Sequence, residues 1–141
     1  VGLRMRPLPS RKPFAEPEQT GPRRTVVKAP AELPYVALAW RVPTLRDVKK
    51  DGDYYALQVL AAVLDGYDGA RLAKNIVRGS RVAVTAGAGY DGTARGESLF
   101  VVDGAPAAGR SVADVEAALR AEITRIQDAG VSDDELRRVK V

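Results

Sequence analysis

The chain has 141 residues, 45% hydrophobic and 28% charged, with a net charge of +4. That is the size and balance of one globular domain able to bury roughly two-thirds of its unfolded surface. It contains no histidine and no cysteine, which removes the usual general base, the usual transition-metal ligands and the thiol nucleophile; a metal would fall to carboxylates, which suit magnesium or calcium better than zinc.

The net charge is confined to residues 1–24, where Arg4, Arg6, Arg11, Lys12, Arg23 and Arg24 outnumber Glu16 and Glu18. The neutral remainder offers no basic face, and its aromatics show no stacking pattern, so nucleic-acid binding is disfavoured. The longest apolar run, Val59 to Leu64, is far too short to span a bilayer.

Residues 1–22 hold Pro7, Pro9, Pro13, Pro17 and Pro22 and read as a Pro/Arg-rich linker from a preceding domain. Residues 23–141 read as a folded domain. Thr25 to Lys28 is a short strand ended by Pro30, and Tyr35 to Val42 a longer one whose even positions, Val36, Leu38, Trp40 and Val42, make a heavy apolar face. Asp51 or Asp53 is placed to cap a helix over Tyr54 to Leu64, with Leu57, Leu60, Ala61 and Leu64 on one side and Gly66 as its stop. A second helix, Ala70 to Arg78, carries Leu72, Ile76 and Val77.

Val82–Ala88 and Ser98–Val102 form a hairpin through the glycine-bearing stretch Gly89 to Gly96, with Gly104 and Pro106 breaking the second strand. Ser111 opens a long helix on which Val112, Val115, Leu119, Ile123 and Ile126 recur, stopped by Gly130. Ser132 and Glu135 form a capping box for a last helix, Asp133 to Val141, which has no stop signal and reads as an element cut short. The order ββααββαα predicts an α+β fold: an antiparallel sheet with helices packed on one face.

Few motifs carry chemistry. Gly87-Ala88-Gly89-Tyr90-Asp91-Gly92 fits G-x-G-x-x-G but lies between two strands, where a dinucleotide fingerprint has to open a helix; hairpin glycines with positive φ explain it better. Asp51 and Asp53 lack the glycine and glutamate of a calcium loop, since Ala56 and Ala62 stand at those positions. There is no G-x-S-x-G or S-x-x-K anchor for a serine nucleophile. The loop Asp65 to Leu72 runs into a helix and is followed by Arg71, Arg78 and Arg81. Such a helix start can receive an anion or a backbone carbonyl, although on spacing alone a helix–helix turn with surface arginines is favoured.

Taken together, Ala31-Glu32-Leu33-Pro34-Tyr35, the strand end Val42-Pro43, Leu64-Asp65-Gly66 leading to Ala70-Arg71-Leu72, Ile76-Val77-Arg78, and Gly130-Val131-Ser132 before Asp134-Glu135-Leu136 form an ordered series. The series resembles the insulinase/pitrilysin family of zinc peptidases, specifically their catalytically inactive, non-zinc-binding domain. The resemblance covers nearly the whole chain.

It implies two related α+β halves facing each other across a chamber. One half bears the inverted zinc motif H-x-x-E-H, and the other has lost the ligands, closes the chamber and contacts peptide. A chain without histidine matches only the silent half. The expectation is therefore a non-catalytic domain that binds no cofactor itself, with zinc in an active half of the same polypeptide or of a partner subunit, and a peptide as substrate. Periplasmic location and a homodimer of the isolated half also come with the resemblance. The alternative is a structural scaffold subunit of a multi-protein assembly without any peptidase role.

The silent half of this family can present an arginine and a tyrosine to the scissile region. Arg78 matches the arginine, with Arg71 as the second candidate for substrate binding, while Val84 stands where the tyrosine is expected.

Overall fold

A computed structural model describes residues 17–140. They divide into a segment ending at Pro30 and a body that begins at Ala31. The linker expected over 1–22 lies mostly outside the described residues. In the first segment the described residues form neither helix nor strand, so the strand expected over Thr25 to Lys28 is absent and Val26 and Val27 are exposed. The four residues Thr25 to Lys28 are too few to hold an extended conformation without a ladder to satisfy their backbone.

The body has the expected α+β architecture. Its elements are β1 (Val36–Val42), α1 (Gly52–Asp65), a π-helix (Ala73–Gly79), β2 (Ala83–Tyr90), β3 (Ser98–Pro106), α2 (Val112–Ala129) and α3 (Asp133–Val139). The sheet order is β1-β3-β2, both pairings antiparallel. Neither α1, α2, α3 nor the π-helix is long and apolar enough to cross a membrane.

Register places three rows across the inner face: Val36, Gly104 and Ala86; Leu38, Val102 and Ala88; Trp40, Phe100 and Tyr90. The even-position face of β1 is thus the core face, as the alternation predicts. α1 and the π-helix pack against β2, α2 lies across β3 and β1, and α3 rests on α1. All contribute to one core in which Leu64, Leu72, Ile76, Val102, Val115 and Leu119 are fully buried. Burying each such side chain contributes about 1.5–3 kcal/mol.

The inner rows grow from small to large. At the Trp40 end the helices stand off, leaving an apolar hollow of about 240 Å³ bounded by Trp40, Phe100, Leu57, Leu60, Ile123 and Ile126. The opposite face bears Ala37, Gly87 and Asp103, then Ala39, Gly89 and Val101, and the Asp103 carboxylate there accepts from the Tyr35 hydroxyl.

Two expectations about glycine change. Gly104 does not break β3, which runs on to Pro106. A Cβ at Gly104 would sit 2.9 Å from the Thr85 carbonyl oxygen and 3.0 Å from Val115 Cγ1, so the missing side chain is what lets α2 approach the sheet. Gly87 and Gly89 are strand residues of β2 and have no positive φ. A Cβ on Gly87 would meet the carboxylates of Asp103 at 2.8 Å and Asp65 at 3.3 Å. Asp65 also accepts from the Ala88 N–H at 3.3 Å, so the end of α1 covers the outer edge of β2.

The helix starts follow the sequence with one exception. Ser111 and Asp114, and Ser132 and Glu135, form reciprocal capping boxes at α2 and α3. Asp51 stands at the start of α1 but makes no cap; its carboxylate turns back to the N–H groups of Arg46 and Asp47 at 2.6 and 2.7 Å, which hold its pKa down.

Gly104→Ala is expected to destabilise the chain by about 1–3 kcal/mol through overpacking of α2 on β3. Gly96→Ala, where a Cβ meets nothing within 4 Å, is expected to stay within about 0.5 kcal/mol of the parent. Urea denaturation of both variants checks the contrast; equal stabilities would show that α2 does not depend on the missing side chain.

Candidate functional site

The two arginines singled out by sequence lie where the chain leaves α1 for β2, and both are anchored. The π-helix forms because the N–H of Ser80 bonds the carbonyl of Asn75 five residues back, at 2.9 Å, widening the helix by one residue per turn. Its single fully buried side chain, Ile76, fixes it to the core.

Arg71, just before the π-helix, is mostly buried and points to α3. Its Nε and Nη2 meet the two carboxylate oxygens of Glu135 at 2.6 and 2.9 Å, and Nη2 also donates to the Gly130 carbonyl at 3.0 Å. This bidentate fork, reinforced by the capping contacts from Ser132, holds the Glu135 carboxyl at a pKa of about 2 and raises the guanidinium in turn. Glu135 therefore serves twice, as the cap of α3 and as counter-ion. Spacing revealed the first role; the second depends on a partner 64 residues away.

Arg78 lies at the end of the π-helix with an exposed side chain. It donates to the carbonyl of Asp68 in the α1–π-helix loop, leaving the rest of its guanidinium open to solvent. Arg71 and Arg78 share no partner: one faces α3, the other the loop. Val84, at the position expected for tyrosine, is exposed and sits inside a register irregularity between Ala83 and Thr85.

Next to Arg71 lies a polar hollow of about 340 Å³, walled among others by Lys74, Glu122, Arg125, Asp134 and Arg138. Glu122 is only 2% exposed on the apolar side of α2. It accepts from Asn75 Nδ2 at 3.0 Å and pairs with Arg125, which makes its burial tolerable. The sequence signal was present, since residue 122 falls on the stripe through Val115 and Leu119.

The donor set does not fit zinc. The sequence has no histidine or cysteine, and the described residues gather no trio of carboxylates able to hold an ion.

Residues 4–140 match the Peptidase M16 inactive domain. The chain therefore belongs to the Peptidase M16 family, the insulinase/pitrilysin group, and corresponds to that family's inactive domain. Its fold is similar to that of a protease from Helicobacter pylori, with a TM-score of 0.71 at 22% identity. The likeness covers 80% of this chain and 26% of that one, so the chain spans about a quarter of the protease's length. No curated protein sequence matches the chain.

Because the Glu135 pKa lies below its ordinary value, its contribution to stability is complete above about pH 4.5 and is lost as pH falls toward 2. Glu135→Gln keeps a capping side chain and removes the charge. It is expected to lower stability at pH 7 by about 1–3 kcal/mol, the gap to the parent closing toward pH 2. Denaturation curves at pH 7, 4 and 2.5 measure it; a gap independent of pH would assign Glu135 a capping role alone.

Proposed function

We propose that this chain is the silent half of a zinc-dependent peptidase, closing a substrate chamber opposite an active half that carries H-x-x-E-H in the same polypeptide or in a partner subunit. The observation that carries the reading is the match to the Peptidase M16 inactive domain over residues 4–140, in a sequence without a single histidine. In this reading zinc and the attacking water belong to the other half, and this chain contributes shape and binding.

The outer face of the sheet around Ala39, Gly89 and Val101 suits the chamber wall, because small side chains leave room for an extended peptide. Arg78 is the substrate-contacting residue. Its guanidinium is oriented by the Asp68 carbonyl and retains free N–H groups for a peptide carbonyl. Arg71 acts one step back, holding α3 and the π-helix in place through Glu135.

The full chain alone is expected to hydrolyse no peptide, to take up no stoichiometric zinc, and to bind a labelled unstructured peptide weakly and saturably by fluorescence anisotropy. Arg78→Ala is expected to weaken that binding about 5–10-fold, the net worth of one solvent-exposed hydrogen bond, with Arg78→Lys between the two. Hydrolysis by the isolated chain, or no saturable binding at millimolar protein, would overturn the reading.

A further inference from the structure

Three departures from regular backbone fall within residues 73–85. They are the π-helix over Ala73–Gly79, a left-handed Arg81 with φ 52°, and the register irregularity between Ala83 and Thr85. Arg81 is the only non-glycine residue with positive φ among the described residues. It occupies the left-handed position just past a helix end, where glycine is the usual occupant because a Cβ there crowds the backbone.

Its neighbours leave it no other choice. Ser80 N–H is held by the Asn75 carbonyl, Val82 N–H by the Ile76 carbonyl at 3.1 Å, and the Val82 carbonyl by Ala107 N–H at 2.9 Å. The surrounding structure imposes the strained conformation, as it must wherever such strain persists. The Arg81 side chain offers no local compensation: it is exposed, and it makes no hydrogen bond or ion pair among the described residues. Strain of this kind clusters at functional sites, and an exposed guanidinium bonded to nothing among the described residues is available to a ligand. Three residues earlier, at the same helix end, stands the half-free guanidinium of Arg78.

We propose that Arg81 is a specificity residue that, with Arg78, receives a carboxylate of the bound peptide. The proposal rests on the peptide-binding reading above and adds the class of peptide preferred. A guanidinium offers a planar fork that matches a carboxylate with two parallel hydrogen bonds. In this proposal two such groups three residues apart at one helix end, with no acidic side chain bonded to either among the described residues, form a position complementary to negative charge. The carboxylate can be an acidic side chain or the C-terminus of the peptide.

The test uses the full chain and three labelled peptides of equal length: acid-free with an amidated end, acid-free with a free C-terminus, and amidated with one internal glutamate. The unsubstituted chain is expected to bind at least one of the two carboxylate peptides about 5–30-fold more tightly than the first, and which of them identifies the source of the carboxylate. Arg81→Asn, whose side chain tolerates the left-handed region, is expected to abolish that preference while raising Tm by about 1–5 °C. Arg81→Lys is expected to keep most of the preference without the gain in Tm.

A preference unchanged in Arg81→Asn overturns the assignment, as does an equal loss of affinity for all three peptides. Equal binding of the three peptides by the unsubstituted chain also overturns it while leaving the peptide-binding reading intact. Absence of binding to any of them overturns that reading, and this assignment with it.

Discussion

Everything in the body leans on β3. It is the middle strand, it pairs on both sides, and its inner face alternates Phe100, Val102 and Gly104 down the centre of the core. Because Gly104 has no side chain, the first turns of α2 come down onto the sheet and Val115 is completely enclosed. Because Phe100 is large and flanked by Trp40 and Tyr90, the far end of α2 is held away, and the apolar hollow opens there. Interiors packed as densely as crystals leave little freedom for any other arrangement.

Against this rigid sheet the stretch from the π-helix to the start of β2 is irregular, and the polar chemistry gathers there. Charged groups near a core need partners, and here they find them across long sequence distances: Arg71 with Glu135, and Asn75 with Glu122. Such ties fix geometry more than they add net stability, since desolvation offsets much of the attraction.

Much of the fold was legible because alternation and helical spacing respond to a single burial direction. Leu38 inward on β1, the stripe on α2, and the serine caps at Ser111 and Ser132 all follow from local pattern. What escaped was set by contact. Gly104 reads as a strand breaker unless a helix is known to press on it. A π-helix has no compositional mark, because its extra residue is accommodated by tertiary packing. Four residues around Val26 and Val27 resemble a strand but form none without a ladder. Of the site, Arg71 and Arg78 could be singled out through family resemblance, while their anchors, Glu135 and the Asp68 carbonyl, belong to geometry that residue spacing cannot express.

The seven-residue α3 illustrates a wider point. A helix of two turns does not persist alone in water. It is held through Glu135, whose partner Arg71 arrives only when a loop of 64 residues closes. α3 therefore owes its order to that closure. The amide of Leu136, bonded to the Ser132 carbonyl at 3.0 Å, acts as a gauge of that closure: its hydrogen exchange reports whether Arg71 and Glu135 are joined.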